Sequence, residues 1–551
     1  MSDKRTDTII QGSSISPGLA KGVIHVHRSI LGPIDISPDI LQHEVENEYS
    51  RLDVATAKIS DDLAVLASRV EKEVDSRLAN IFEAHQLIAE NSSLREELRR
   101  EIVENLVTAS SAVKTVFLRW EKRFLLMESQ ISRDKSDDMR DVSIRLSNAL
   151  AGITGHPLEA IPSHCVLAAS RLLPSDTVFL TRSTTKAVLL EHGSHGSHTA
   201  LFLREMGIPC VSRISNILTV VAAGEMALVD ADAGSIIICP QEKQLRAFRK
   251  RVAEKEHAQR LARQHTAEVA VTKDHVTISV LANVGCEEDT TRAMANGAEG
   301  IGLYRMERAY LGRVVPPNTE ELLAEMRQTL DAAKGRSVYV RLLDLGTDKQ
   351  LPFMKFIAET NPSLGRRGIR LLYEYPELLR TSLCAALKLS SEFDLRILIP
   401  MVTLPEDVRL VRGVLTQLAR EMEISALPSL GAMIETPAAA LSARKISKYA
   451  DFLSFGTNDL TQYAFAADRD NAAVERYFND ASDIIFRLLR LTHDDVPDVP
   501  LSVCGELAGR PEHIPRLLQC GVRTLSVAPP LIPAIKEAIR SCVCVESSLK
   551  P

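Results

Sequence analysis

The chain has 551 residues, with 66 Lys and Arg against 72 Asp and Glu, a formal net charge of -6 and a single tryptophan. So long a chain exceeds what one hydrophobic core supports and calls for about two to four domains. Neither a basic excess nor aromatic interleaving is present, so no nucleic-acid partner is expected. Nine cysteines, an odd number spread along the chain, make no disulfide framework, and no two C-x-x-C units have zinc spacing. Residues Met1 to Asp7 lead into no sustained apolar core, and no run of about 18 apolar residues occurs. Neither a secretory signal nor a membrane partner is expected, and the chain reads as cytoplasmic.

Residues 8 to 28 alternate in a strand-like way around the Pro17-Gly18 turn. From Pro38 to about Ile153 the character changes to helical periodicity without an internal proline. There Ile81, Phe82, His85, Ile88 and Ala89 share one face, and Val103, Leu106 and Val107 extend the pattern, which predicts a helical bundle. Between Pro157 and Pro240 short apolar runs return, with strands predicted at Cys165–Ala169, Ala187–Leu190, Ala227–Val229 and Ser235–Cys239. Strand material on both sides of the bundle predicts one α/β domain from residues 1–35 and 149–240, with the bundle, 36–148, inserted into it.

Within that domain the loop His192-Gly193-Ser194-His195-Gly196-Ser197-His198-Thr199 joins a strand to a helical stretch at 200–206. A glycine-bearing turn at a helix start offers unpaired N–H groups to an anion such as phosphate, and a histidine there can attack phosphorus. On these residues alone a polar surface loop or an adventitious metal site is the more ordinary reading, since Gly-Ser-His runs are common loop material. The charged, proline-free and glycine-free stretch that follows, 241–268, predicts an exposed linker helix.

From Val276 onward a βα rhythm sets in. Strands are predicted at Val276–Val284, Gly300–Tyr304, Ser337–Leu343, Arg396–Met401, Leu430–Ile434, Phe452–Phe455, Leu501–Val503 and Thr524–Val527. Eight such strands fit a (β/α)8 barrel over 269–551, whose active site belongs at the C-terminal strand ends. Those ends carry Arg305 and Glu307, Arg341 and Asp344, then Asp348 and Lys349, Glu435, Asn458 and Asp459, and Cys504 to Glu506. Arginines grip phosphate and carboxylate, and Glu435 and Asp459 offer the hard oxygens that Mg2+ prefers. Each charge taken singly also fits a salt bridge closing the rim, and Cys504 fits packing as well as proton transfer.

Several stretches are more specific than this chemistry. They are Gly431-Ala432-Met433-Ile434-Glu435-Thr436-Pro437-Ala438, Phe455-Gly456-Thr457-Asn458-Asp459-Leu460-Thr461-Gln462-Tyr463 and Cys504-Gly505-Glu506-Leu507-Ala508-Gly509. Ile81-Phe82-Glu83-Ala84-His85, Asn361-Pro362-Ser363-Leu364-Gly365-Arg366-Arg367 and Ser16-Pro17-Gly18 add to them. By these the chain resembles, over nearly its whole length, the Enzyme I family of the bacterial sugar phosphotransferase system, the phosphoenolpyruvate-protein phosphotransferases. The resemblance implies a multidomain α/β chain with a swivelling phosphohistidine domain, an inserted helical bundle, a linker helix and a C-terminal (β/α)8 barrel.

It also implies roles for residues. His198 matches the phosphorylated histidine, with Thr177, Thr199 and His195 in support. Arg305, Arg341, Lys349, Arg367, Asn458 and Arg469 match residues gathered around phosphoenolpyruvate, Glu435 and Asp459 match ligands of the cofactor Mg2+, and Cys504 matches a thiol that handles the methylene proton. The implied partners are the phosphocarrier protein HPr, docked on the bundle, and a second copy of the chain through the barrel.

The chain departs from the family loop Gly-Gly-Arg-Thr-Ser-His-Thr by placing Ser194, His195 and Gly196 where Gly, Arg and Thr are usual. His195 supplies a cation there only when protonated. Met306, Thr347 and the Arg523-Thr524-Leu525-Ser526 stretch are further departures. A dikinase or synthase related to the same family would need a nucleotide-binding domain, for which the chain has neither the length nor a Walker loop. A regulatory scaffold that binds the carrier without full catalytic power is the alternative from another class.

Overall fold

The computed structural model describes residues 8–27, 40–73, 76–125, 130–153, 156–180, 184–193, 198–311, 313–346, 351–354, 359–469, 471 and 474–544, with only the backbone of His198. The chain falls into two compact units that divide between Ala253 and Glu254.

The first unit is built on an eight-stranded sheet. Its strands are β1 (Thr8–Gln11), β2 (Ser13–Ser16), β3 (Leu19–His27), β4 (Cys165–Ala169), β5 (Thr185–Leu190), β6 (Cys210–Ser212), β7 (Met226–Asp230) and β8 (Ser235–Ile238), in the order β1-β8-β7-β3-β4-β5-β6-β2. Strands from both sides of the bundle share it, since β3 pairs in parallel with β4, Val23 opposite Cys165. β4 is buried throughout because both faces are covered. Alternation sends Val166 and Ala168 into one core with Ile24, Leu189 and Val211, and Cys165, Leu167 and Ala169 into another with Val188, Leu190 and Leu203. β6, three residues long, was not predicted.

Between β3 and β4 stand five helices, α1 (Val45–Glu73), α2 (Ser76–Ala89), α3 (Ser92–Asn105), α4 (Ala109–Leu125) and α5 (Gln130–Leu150). Leu94, Leu98 and Ile102 give α3 its buried stripe at i, i+4 spacing. Val103 does not extend the pattern as expected: it is 40% exposed, because it lies one residue past Ile102 and so falls off the buried stripe of α3. Leu106 and Val107 return to the bundle core from the turn, whereas Ile81 and Phe82 join a separate cluster with Val178 and Phe202.

Three short helices, α6 (Pro174–Thr177), α7 (His198–Glu205) and α8 (Ile217–Val220), accompany the sheet, and α9 (Glu242–Gln264) follows it. α9 ends four residues before the predicted stretch does. Lys536 Nζ takes the carbonyls of Thr266 and Glu268, each at 3.0 Å, and Arg540 Nη2 takes that of His265 at 2.9 Å. Two cations thus hold the turn that follows the helix C-terminus, on the side where positive charge is favoured.

The second unit is a closed barrel of β10 (Thr277–Val284), β11 (Gly300–Arg305), β12 (Ser337–Arg341), β13 (Asp394–Val402), β14 (Ser429–Ile434), β15 (Phe452–Phe455), β16 (Leu501–Val503) and β17 (Thr524–Val527). All neighbours run parallel, and β10 pairs with both β11 and β17 to shut the ring. A two-residue strand, β9 (Ala270–Val271), straps β10 antiparallel and was not predicted. Leu281, Leu303, Tyr339, Leu398, Met433, Phe452 and Cys504 form the cluster inside the barrel, while alternate residues such as Val280, Val338, Ile397 and Leu453 pack outward. All nine cysteines are free thiols, and no helix among the described residues is long and apolar enough to cross a membrane.

Candidate active site

Five of the barrel strands hand a polar residue to one rim. β11 ends at Arg305 and β12 at Arg341, while Glu435 and Cys504 follow β14 and β16 directly. Behind Glu435 the backbone turns at once into a helix, because Thr436 Oγ1 accepts the Ala439 N–H at 3.1 Å and Pro437 occupies the first helical position. Asn458 and Asp459 sit in the first turn of the Thr457–Phe465 helix that follows β15. Gly456 precedes it, where a Cβ would come within 2.8 Å of Glu435 Cγ, so only glycine leaves the carboxylate its place.

The charges are meshed. Arg341 donates through Nη2 to Glu307 at 2.9 Å and through Nη1 to Asp344 at 3.0 Å, and Glu307 also accepts the Asp344 N–H at 3.0 Å. Arg367 bridges two carboxylates: Nη2 and Nε meet Asp344 at 2.9 and 3.2 Å, and Nη1 and Nη2 meet Asp459 at 2.8 and 3.2 Å. Burial opposes charge on Arg341 and Arg367, yet the acidic neighbours outweigh it and raise both pKa values. Asp459 is likewise disfavoured by burial, and Arg367 with Arg469, 4.0 Å away, holds it below the usual carboxylate range.

Two groups stand apart from this pairing. Arg305, exposed at the end of β11, has no ion pair among the described residues, and desolvation at its guanidinium together with the Arg341 charge lowers its pKa. Arg341 Nε is buried with no hydrogen-bond partner. Unspent donors of positive sign beside one another are what an anion-binding site requires.

Glu435 is 1% exposed and accepts the Met401 N–H at 2.7 Å, a bond that Met401 makes from a left-handed backbone at φ 55°. Burial, then the charges of Asp459 and Asp344, push its pKa up. A cation would relieve that repulsion, so the two carboxylates fit a hard divalent ion. No cluster of three or more His, Cys, Asp or Glu side chains able to hold a metal occurs among the described residues. An ion held by Glu435 and Asp459 would therefore complete its shell with water and substrate oxygens, as Mg2+ does.

Cys504 is buried, which pushes its thiol pKa up and keeps it protonated. Its Sγ lies 3.5 Å from both Ser454 Oγ and the Phe455 carbonyl. Asn283 Nδ2 donates to the Cys504 carbonyl at 3.1 Å, and Asn458 Oδ1 accepts the Glu506 N–H at 3.0 Å, tying the β15 and β16 ends together.

Arg305, Arg341, Arg367, Asn458, Arg469, Glu435, Asp459 and Cys504 thus come together at the rim, whereas Lys349 lies outside the described residues. In the first unit α7 begins at His198, and Thr199 Oγ1 donates to the Leu172 carbonyl at 2.9 Å, beside α6. Thr177 spends its hydroxyl on the Pro174 carbonyl at 2.6 Å. His195 lies outside the described residues. Glu307 and Asp344 are expected from the sequence only as rim charges, and Tyr463, part of the Phe455–Tyr463 stretch, has no role there; it accepts from Arg367 Nη1 at 3.4 Å and donates to the Ser363 carbonyl. Its signal was its spacing, one helical turn after Asp459.

Three family models match: PEP-utilising enzyme, N-terminal, over residues 11–135; PEP-utilising enzyme, mobile domain, over 161–234; and PEP-utilising enzyme, PEP-binding domain, over 259–544. The phosphoenolpyruvate-protein phosphotransferase of Geobacillus stearothermophilus is 33% identical over 499 residues, covering 89% of this chain and 86% of the relative. That of Bacillus subtilis is 31% identical over 501 residues, covering 89% and 87%. Among solved structures, a solution structure of Enzyme I (nEIt) is 27% identical and covers 45% of this chain and 99% of its own, with a TM-score of 0.39.

Proposed function

The chain belongs to the family of phosphoenolpyruvate-protein phosphotransferases, and from that premise we propose how its own residues carry the reaction. It is an enzyme that moves a phosphoryl group from phosphoenolpyruvate to protein. His198 is the first acceptor and a histidine of the carrier protein HPr the second, as the opening step of a sugar phosphotransferase system. Residues 1–35 and 149–240 form the phosphohistidine domain, 36–148 docks the carrier, 241–268 links, and 269–551 binds phosphoenolpyruvate and forms a homodimer in the cytoplasm.

The observation that carries this reading is the unpaired Arg305 beside the orphaned Nε of Arg341. Arg305, Arg341, Arg367 and Arg469, with Lys349 and Asn458, take the phosphate and carboxylate of the substrate and spread the charge of a loose phosphoryl transition state. Glu435 and Asp459 hold Mg2+, which supplies charge neutralisation at the substrate oxygens when bound. Neutral His198 attacks phosphorus in line, so a P–N bond forms as the bond to the enol oxygen breaks. The enolate then takes the Cys504 proton at its methylene carbon, giving pyruvate, and solvent returns a proton to the thiolate. Glu307 and Asp344 keep the guanidinium groups of Arg341 and Arg367 in place throughout.

Incubation with labelled phosphoenolpyruvate and Mg2+ is expected to give an acid-labile phosphoprotein that EDTA abolishes. Absence of label with Mg2+ present sinks the catalytic reading and leaves the carrier-binding scaffold. Cys504→Ala is expected to slow phosphoprotein formation about 10²- to 10⁴-fold. In rapid-quench measurements, a rate equal to that of the parent would return Cys504 to a packing role.

A further inference from the structure

The inserted bundle holds a buried polar cluster that the chemistry above does not use. His85 of α2 is fully buried. Its Nε2 lies 3.0 Å from Asp138 Oδ1, while Nδ1 lies 4.0 Å from Asp141 Oδ2 and has no hydrogen-bond partner. Both aspartates belong to α5. Asp141, 1% exposed, reaches out of the bundle: Oδ2 accepts the Ser175 N–H of α6 at 2.9 Å, and Oδ1 accepts from Arg145 Nε at 3.3 Å. Arg145 Nη2 is likewise buried without a partner.

A network left partly unsatisfied in this way weakens a bundle that has only to fold. It does place a carboxylate on an orphan N–H at the start of α6, whose N-cap residue, Leu173, has no side chain able to cap. α6 in turn adjoins α7. The Leu172 carbonyl accepts the Thr199 hydroxyl, and Phe82, three residues before His85, shares a cluster with Val178 and Phe202. Its ring centroid lies 6.0 Å from that of Phe202 and 5.8 Å from that of His85.

We propose that Asp141 is a positioning residue for phosphoryl transfer: by holding the Ser175 amide beside buried His85, it fixes α6 and, through the Leu172–Thr199 bond, the first turn of α7, where His198 stands. The inserted bundle is then a wall of the phosphohistidine site as well as a docking platform. The inference rests on His198 being the phosphorylated residue.

Asp141→Ala removes the acceptor, whereas Asp141→Asn keeps an oxygen for the Ser175 N–H and removes the charge. The alanine variant is expected to lower kcat for phosphoprotein formation roughly 10- to 100-fold, with KM for phosphoenolpyruvate within about twofold of the parent, and the asparagine variant to recover part of the loss. The imidazole 15N resonances of His198, which need no turnover, are expected to shift in both. If the alanine variant does not fold, the asparagine variant carries the test. A parental kcat per folded molecule, or unmoved His198 resonances, overturns the proposal. A parent chain that takes no label overturns the catalytic reading on which the proposal rests, whereas a labelled parent with parental kcat in both variants overturns the positioning role alone.

Discussion

His198→Gln is expected to form no acid-labile phosphoprotein, a loss of about 10⁴-fold or more, because removing the nucleophile leaves no group on the chain to accept phosphorus. Three histidines crowd the loop, at 192, 195 and 198, and only the last opens α7. His192→Gln should therefore keep most of the parental rate. Equilibrium dialysis of phosphoenolpyruvate should give the same affinity for His198→Gln as for the parent, since the rim residues belong to the barrel. Label retained in the variant, on any residue, would remove His198 from the mechanism.

The second large effect concerns Arg367. This side chain, 13% exposed, is the shared partner of Asp344 and Asp459. Arg367→Met removes the cation that bridges two buried carboxylates and leaves Asp344 to Arg341 and Asp459 to Arg469 alone; loss of one partner of a fully buried pair costs about 3–5 kcal/mol, and the two remaining arginines reduce that figure here. Glu435, already pushed up by the same two acids, is raised further. The expected outcome is a fall in kcat/KM for phosphoenolpyruvate of about 10²- to 10³-fold, together with a lower midpoint for the barrel's thermal transition. Arg367→Lys should restore only part of either, because one ammonium cannot present paired donors to two carboxylates. Parental kinetics in Arg367→Met would reduce the mesh to a structural ion pair.

What could be read from the sequence follows from how far each signal extends along the chain. Barrel strands such as Arg396–Met401 and Leu430–Ile434 are buried on both faces, so they appear as unbroken apolar runs and were placed to within two residues. β6 and β9 escape because three and two residues carry no period. Val103 misled because the α2 pattern does not continue in phase past the Asn91 cap into α3, whose buried stripe is Leu94, Leu98 and Ile102. At the rim the identities were legible and the partnerships were not. Asp344 joins Arg341 to Arg367 across two loops, and Met401 meets Glu435 from a neighbouring strand, contacts that exist only once the barrel is closed.

The insertion of the bundle between β3 and β4 also bears on the order in which the first unit forms. Those strands are neighbours in the sheet, yet the whole bundle separates them in sequence, so their pairing closes one of the longest loops in the unit. Loop closure of that kind is entropically costly and slows folding when the intervening chain is unstructured. Once folded, the bundle brings its own ends together, for Arg51 in the opening turns of α1 donates to the Leu150 carbonyl at the end of α5 at 3.3 Å. The loop left to close then shrinks to the stretches that join the bundle to β3 and β4. The bundle thereby acts as a folding template as well as part of the finished structure, lowering the effective separation of two strands that are far apart in sequence.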